Sequence, residues 1–229
     1  MKASALGATF ASLPPAWAAV LPGWTRARFD EVQRCIEAAS GDRPIAPDDP
    51  FRAFRLVLPD QVKVVIVGQD PYPTAGHADG LAFSAGKGKP RSLARIFQVL
   101  AADRPASFRL PDAWNLDDWA RRGVLLLNPV LTVEIGRSAS HMDCNWQALT
   151  RQVVEVLTRF AEPPIFLLWG SKAQAFWSSA STSPTAKALF ARHPSYDFQR
   201  QFMADGSHFE ATSEQIDWWA IGREELPVL

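Results

Sequence analysis

The sequence contains few cysteines and no apolar run long enough to cross a membrane. Its two cysteines, Cys35 and Cys144, are too few for a disulfide framework in 229 residues, and no CxxC pair or Cys/His cluster offers a zinc site. We therefore expect a protein of a reducing compartment, the cytoplasm. A membrane helix requires about 20 consecutive apolar residues. Since no segment approaches that length, we expect no membrane partner.

An excess of charge of either sign is also missing. Lys and Arg together number 24, as do Asp and Glu, so the formal net charge is zero. A neutral chain has no overall field to attract a polyanion, so any nucleic-acid site must be a local patch. The composition, 47% hydrophobic and 21% charged, supplies one sizeable core and predicts a single domain over residues 1–229.

Several common catalytic signatures are absent. The chain has no GxSxG nucleophile turn, no Walker A phosphate loop and no cluster of metal ligands. These absences disfavour acyl transfer, nucleotide hydrolysis and metal-dependent hydrolysis. We accordingly expect neither a cofactor nor a metal.

The first 20 residues imitate a secretory signal. They contain Lys2, a mildly apolar stretch and the small-residue sequence Ala16-Trp17-Ala18, which is typical of a cleavage site. Pro14 and Pro15 interrupt the apolar stretch, however, and argue against a signal peptide.

Four short apolar runs indicate strands. They occupy residues 62–67, 123–127, 165–169 and 186–191, and the first three are continuous rather than alternating, as expected for parallel strands covered on both faces. Residues 92–101, 145–160 and 172–178 have helical spacing of apolar residues. This order predicts a three-layer α/β/α sandwich around a central, mostly parallel four-stranded sheet.

A polar turn follows each of the four runs. The turns read GQDPY, NPVLT, GSKAQ and RHPS. Because ligands of open parallel sheets bind at the carboxyl ends of the strands, the turns should converge on one crevice. Together they would bring a carboxylate, an imidazole, an amide and two aromatic rings to a pocket suited to a flat heterocycle. The residues are Asp70, His193, Asn128, Tyr72 and Phe83.

Each of these residues also has a simpler structural interpretation. Asp70 before a proline is a common turn former, and Asn128 can bond its own backbone at a strand end. Tyr72 and Phe83 can also be explained as aromatic residues of the hydrophobic core. Gly170-Ser171 suits a helix N-terminus. The joint pattern is therefore stronger evidence for function than any one member.

The motifs, in order, resemble those of family 1 uracil-DNA glycosylases. The matching segments are GQDPYPTAGHADGLAFS at 68–84, LLLNPVLTV at 125–133, FLLWGSKAQ at 166–174 and HPS at 193–195, with SH at 140–141 and HF at 208–209. The resemblance covers roughly residues 13–213 and assigns LPPAWAAVL to the family's first helix. It implies a monomeric, cytoplasmic DNA-repair enzyme that hydrolyses the bond between uracil and deoxyribose.

The resemblance also implies roles for the pocket residues. Phe83 would stack on the flipped base, Asn128 would bond O4 and N3–H, and Gln69 would assist at O2. Tyr72 would stand against C5, where the methyl group of thymine would collide with it. His193 would donate to O2 of the departing uracil, and Asp70 would stabilise the sugar cation and orient water. The expected DNA contacts are Ser84, Lys89, Pro90, Ser92, Gly170, Ser171, Ser195, Tyr196 and Phe198.

One loop departs from the family pattern. After HPS the family continues Pro-Leu-Ser, whereas this chain reads Tyr196, Asp197 and Phe198, which puts Asp197 where a leucine normally fills the gap left by the flipped base. A carboxylate cannot fill a stacking gap and repels phosphates, although Tyr196 or Phe198 could stack instead. We therefore expect weaker discrimination in favour of duplex DNA.

Three other functions remain open from the sequence. The chain could bind damaged or abasic DNA without turnover, although Asp70 and His193 argue against this. It could prefer single strands and remove a different or wider range of bases, although Tyr72 and Asn128 disfavour the wider range. An unrelated α/β hydrolase that uses Asp70 and His193 as an acid/base pair would need a nucleophile that the sequence does not offer.

Overall fold

The structure is a computed structural model that describes residues 1–103, 109, 111–181, 183–196 and 201–222. Its centre is a parallel sheet of four strands in the order β3-β2-β5-β6. Every residue of β2 and β3 is buried, which explains why these runs are apolar without alternation. The strands are β2 (Val64–Val67), β3 (Val124–Leu127), β5 (Ile165–Trp169) and β6 (Ala188–Ala191).

The strand predictions are confirmed in number, direction and approximate position. The run at 165–169 matches β5 at both ends, whereas the predicted runs at 62–67, 123–127 and 186–191 begin one or two residues before the observed strands. β1 (Ile45–Ala46) and β4 (Val133–Glu134) form a separate antiparallel pair that the sequence did not predict. Strands of two residues are too short to have a recognisable period.

Helices flank the sheet, and the three predicted helices are confirmed. They are α4 (Arg91–Asp103), α6 (Gln147–Thr158) and α7 (Ser171–Ala180). The remaining α-helices are α1 (Pro15–Val20), α2 (Arg26–Ser40), α3 (Arg52–Leu56), α5 (Asp117–Arg121) and α8 (His208–Ala211). Short 3-10 helices span Ala3–Ser12, Pro59–Gln61, Pro194–Tyr196 and Trp218–Ala220. No helix in the described part of the chain is long and apolar enough to cross a membrane.

The N-terminal segment that imitates a signal is built into the core. Leu6 and Trp17 are fully buried, and the indole N–H of Trp17 donates to the carbonyl of Val57 at 2.9 Å. Pro14 and Pro15 occupy the N-cap and first position of α1, where proline costs no hydrogen bond and its fixed φ suits a helix. The prolines that interrupt the apolar stretch therefore begin a helix.

Although two cysteines are too few for a disulfide framework, they form a single pair. Cys35 of α2 and Cys144, in the loop before α6, form a disulfide with their Cα atoms 5.3 Å apart. They lie 109 residues apart in sequence, so only the packing of α2 against this loop reveals the pair. A count of two cysteines consequently carries no information about the redox state of the compartment.

Candidate active site

The carboxyl ends of the central strands surround a cavity of about 220 Å³. Its volume is below the roughly 300–1,000 Å³ of sites for drug-sized ligands, so it suits a single planar ring. The sheet thus brings together side chains from turns that lie more than 100 residues apart in sequence. Among the residues that line it are Gln69, Asp70, Tyr72, Phe83, Asn128 and His193, all six predicted for catalysis or base binding.

Gly68 at the end of β2 allows Asn128 to reach the cavity. A Cβ atom at position 68 would lie 2.2 Å from Oδ1 of Asn128 and 3.0 Å from Cβ of Ala82. Any side chain there would push the amide away. Asn128 is 8% exposed, so its polar edge is presented within a largely dry pocket. A buried amide of this kind discriminates strongly between partners that satisfy its donor and acceptor and those that do not.

Asp70 is held at the cavity by the backbone of a distant loop. The N–H of Ala139 donates to Oδ2 of Asp70 at 2.9 Å. Burial raises the pKa of Asp70 above its ordinary value, and this backbone N–H opposes the rise. The site thus contains a partly desolvated carboxylate whose ionised form is supported by a fixed donor.

His193 lies against the end of β5, where Gly170 makes room for it. Gly170 has φ of +100°, and a Cβ atom there would lie 2.7 Å from Cβ of His193. The N–H of Ser195 donates to Nδ1 of His193 at 3.1 Å, so the proton of the neutral ring is on Nε2. Burial lowers the pKa of His193, which favours this neutral form.

Two aromatic residues complete the walls. Phe83 adopts φ of +63°, an unfavourable region for a bulky side chain, and its ring centroid lies 5.7 Å from that of His193. The hydroxyl of Tyr72 donates to the carbonyl of Phe83 at 3.1 Å and shares a 2.6 Å hydrogen bond with the hydroxyl of Ser92. These two contacts fix the orientation of the tyrosine ring. Burial also raises the pKa of Tyr72, so the phenol stays neutral.

The turn that carries Phe83 is braced by Asp79. The carboxylate of Asp79 accepts the hydroxyl of Ser84 at 2.6 Å and the N–H of Leu81 at 3.2 Å, and pairs with Arg52 at 3.2 Å. Arg52 also makes a bidentate ion pair with Asp117 of α5, at 2.7 and 2.6 Å. Asp79 is therefore a structural residue that orders the loop next to the pocket.

Comparison with a family model shows which superfamily the chain belongs to. Residues 56–216 match the model described as the uracil DNA glycosylase superfamily. The chain belongs to the uracil-DNA glycosylase superfamily. The predicted α/β fold and the predicted glycosylase class are thereby confirmed.

Curated relatives in this superfamily match almost the whole chain. A uracil-DNA glycosylase of Ralstonia pickettii is 41% identical over 96% of this chain and 86% of its own length. A uracil-DNA glycosylase of Bordetella parapertussis is 37% identical over 98% of this chain and 90% of its own length. Among solved structures, a mimivirus uracil-DNA glycosylase has a TM-score of 0.69 at 24% identity, covering 80% of this chain and 69% of that one. This last similarity concerns the fold alone.

Two predicted DNA contacts of the glycosylase need correction. Ser84 is fully buried, and its hydroxyl donates to Asp79 and accepts the N–H of Leu116 at 3.0 Å, so it offers no surface to DNA. Ser92 is 3% exposed, and its hydroxyl is bonded to Tyr72. Their sequence positions resemble those of phosphate-binding loops, but both side chains support the pocket.

Of the other predicted contacts, Ser195 lines the cavity, Lys89, Pro90, Gly170 and Ser171 are not among its lining residues, and the last segment is only partly described. Lys89 is exposed, with Nζ 4.9 Å from the ring of Trp114, and Pro90 next to it is buried. Ser171 is exposed at the start of α7 after Gly170, and Ser195 lines the cavity. The side chain of Tyr196 is not described, and Asp197 and Phe198 lie outside the described residues.

Sequence reasoning missed the loop that follows β4. Ser138 lines the cavity and Ala139 binds Asp70, yet neither has a side chain whose chemistry attracts notice. The signal that does exist is Ser140-His141, which was noted for its resemblance and given no role. Backbone donors of this kind cannot be identified from residue types, because every residue except proline has an N–H.

Proposed function

We propose that the chain excises uracil from DNA by hydrolysing the bond between N1 of the base and C1′ of deoxyribose. The observation that carries the proposal is that Asp70 and His193 line the same small cavity as Asn128, Phe83 and Tyr72. A base within a duplex cannot reach such a cavity, so the uridine must be flipped out of the stack, at a cost of a few kcal/mol. We also propose membership of family 1, on the motif order given above.

Uracil is selected by the amide and the aromatic walls. The side chain of Asn128 bonds O4 and N3–H of the base, and Gln69 assists at O2. Cytosine presents the opposite donor and acceptor order, so it leaves buried groups unpaired and is rejected. The ring of Tyr72, fixed by Ser92 and the Phe83 carbonyl, stands where the C5 methyl group of thymine would lie.

The reaction separates charge, and the two titratable residues stabilise opposite ends of it. As the C1′–N1 bond breaks, its electron pair moves to uracil and positive charge develops on the sugar. The Nε2–H of neutral His193 donates to O2 of the uracil anion. Asp70 stabilises the sugar cation and orients the water that adds to C1′. Removal of one such preorganised group typically costs roughly 3 to 4 kcal/mol of barrier.

DNA is held by small groups and local charge around the cavity. Ser171 supplies its backbone N–H, Ser171 and Ser195 supply hydroxyls for phosphates, and Lys89 supplies charge. Gly170 contributes only by position, since its own N–H donates to the carbonyl of Ala191 at 2.8 Å. The segment from Tyr196 to Phe198 replaces the family's leucine loop. We propose that an aromatic ring in this segment takes the place of the leucine wedge, since Asp197 cannot stack.

The decisive experiment is incubation with a uracil-containing oligonucleotide in EDTA, followed by alkali to cleave abasic sites. We expect strand cleavage at uracil and release of free uracil. Asp70→Asn and His193→Leu should lower turnover by roughly 100- to 1,000-fold while the fold is retained. A protein that binds the oligonucleotide but releases no uracil would be a damage-binding module, and the proposal would fail. Near-normal rates in both variants would remove the assigned chemistry.

A further inference from the structure

A chain of buried hydrogen bonds lies beneath the loop that holds Asp70. This loop, residues 135–146, follows β4 and includes Ala139, whose N–H donates to Oδ2 of Asp70. Ala139 is exposed and adopts φ of +60°, a left-handed conformation that is unfavourable for alanine. Such a conformation persists only when surrounding contacts impose it. One such contact is made by the N–H of Met142, which donates to the carbonyl of Ala139 at 3.2 Å, and the buried part of the loop supplies others.

The buried part of the loop is centred on His141, which is 1% exposed. Its Nδ1 lies 3.0 Å from the hydroxyl of Thr132, which also accepts the indole N–H of Trp146 at 2.8 Å. Its Nε2 lies 2.8 Å from the hydroxyl of Ser40, which donates to Oε2 of Glu134 at 3.2 Å. Thus both ring nitrogens are bonded, each to a hydroxyl from outside the loop.

The two hydroxyls that bond the ring each have a further partner. Ser40 donates to Glu134, which is paired with Arg43, and Thr132 accepts from Trp146. Burial lowers the pKa of His141 and favours the neutral ring, whereas a hydrogen bond with the backbone of Thr132 and the charge of Glu134 oppose this shift and the charge of Arg137 adds to it. A neutral imidazole has one donor and one acceptor, so it can bond a hydroxyl at each nitrogen.

The loop is fastened at further points around His141. Cys144 is joined by the disulfide to α2, the same helix that ends at Ser40. The N–H of Gly136 donates to the carbonyl of Pro73, in the turn that carries Asp70, at 2.8 Å. His141 lies two residues after Ala139, so the position of the imidazole limits how the backbone at Ala139 can turn.

We propose that His141 is a positioning residue for base excision. Clamped between Thr132 and Ser40, it holds residues 138–141 so that the Ala139 N–H stays directed at Asp70. His141 does not line the cavity and acts only through this backbone contact. The inference rests on the role proposed above for Asp70, and it assigns a function to the Ser140-His141 motif.

The test removes the hydroxyl of Thr132, one of the two hydroxyls that hold the ring of His141. Thr132→Val keeps the shape of the side chain and removes the hydroxyl that bonds Nδ1 of His141 and the indole N–H of Trp146. We expect kcat to fall by roughly 10- to 100-fold with KM changed by less than about twofold, because geometry at the reacting atoms is lost and DNA binding is kept. Thr132→Ser restores the hydroxyl and should recover most of kcat. Ser40→Ala, at the other end of the clamp, should reproduce the loss.

A measurement without substrate distinguishes the positioning role of His141 from a general loss of stability. Because the Ala139 N–H lowers the pKa of Asp70, Thr132→Val should move the titration of the Asp70 carboxyl, followed by carbon-13 NMR, to higher pH. The acidic limb of the kcat profile should move with it. In contrast, wild type and Thr132→Ser should titrate alike.

Thr212→Val is the matched control. Thr212 is fully buried like Thr132, and it accepts the indole N–H of Trp218 at 3.0 Å, but it lies in the turn after α8. This variant should lower the free energy of unfolding and leave kcat and the Asp70 titration unchanged. Wild-type kcat and titration in Thr132→Val and Ser40→Ala would overturn the proposal, as would an equal loss of kcat in Thr212→Val. Failure of the proposed function would appear separately, as wild-type protein that releases no uracil.

Discussion

Asp70 and His193 show opposite pKa shifts that arise from one cause. Burial disfavours the charged form of each group, so it raises the pKa of the carboxyl and lowers that of the imidazole. The proposed reaction needs His193 neutral, and burial supplies this directly. It also needs Asp70 ionised, which burial opposes. The Ala139 N–H offsets part of this effect, because its hydrogen bond lowers the pKa of Asp70.

At the residue scale, Asp70→Asn should stabilise the protein in a pH-dependent way. A carboxyl whose folded pKa is raised contributes stability that is fully present below its ordinary value of 3.8 and is lost as pH rises through the folded pKa. Wild type therefore loses stability relative to Asp70→Asn across this window. We expect urea unfolding to show a larger free energy of unfolding for the variant at pH 7, and a smaller difference at about pH 3.

The control for this prediction is Asp42→Asn, which changes an exposed carboxylate in the turn after α2. Its effect on the free energy of unfolding should be small at both pH values. An Asp70→Asn protein that is no more stable than wild type at pH 7 would contradict the prediction.

At the element scale, two glycines and a disulfide decide how the turns meet. Gly68 directly follows β2, and Gly170 directly follows β5. At each position a Cβ atom would occupy space that is taken by a side chain from the turn after the neighbouring strand. Asn128 and His193 can therefore approach the cavity. The disulfide from Cys35 to Cys144 fixes the Asp70-binding loop to α2.

The disulfide should contribute measurably to stability. Its partners are 109 residues apart, and closing a loop of about 100 residues restricts the unfolded chain by up to about 4.7 kcal/mol. We expect a reductant to lower the urea midpoint of the wild-type protein. A Cys35→Ala, Cys144→Ala double variant should unfold at this lower midpoint with or without reductant. If reductant changed both proteins equally, or neither, the disulfide would not be a stabilising element in solution.

At the scale of the whole molecule, a chain of zero net charge must act on a polyanion. On the proposed function, its DNA contacts come from a few groups around one cavity. On the proposal that Asp197 takes the wedge position, we expect uracil to be excised faster from single-stranded than from duplex oligonucleotides, because a single strand needs no unpairing. Measured kcat/KM values on both substrates test this, and a clear duplex preference would refute it. Asp197→Leu should shift the ratio towards duplex DNA.

The sequence by itself determined the sheet and the inventory of the cavity. Continuous apolar runs identified β2, β3 and β5, because a strand buried on both faces cannot carry polar residues, and a weaker apolar run identified the half-exposed β6. The turns after those strands identified Asp70, Asn128 and His193, because side chains at the carboxyl ends of parallel strands must meet. The family resemblance likewise assigned LPPAWAAVL to a helix, and α1 begins at Pro15. These features are local in sequence, so residue types and spacing suffice to reveal them.

Only the tertiary structure decided the contacts between segments distant in sequence. The disulfide, the Ala139 N–H on Asp70 and the clamp around His141 join residues separated by between 9 and 109 positions. The motifs predict Ser84 and Ser92 as DNA contacts. In the folded structure, however, the hydroxyl of Ser84 is hydrogen-bonded to Asp79 and that of Ser92 to Tyr72. A hydroxyl or a backbone N–H has the same chemistry wherever it lies, and its partner is set by the fold that surrounds it.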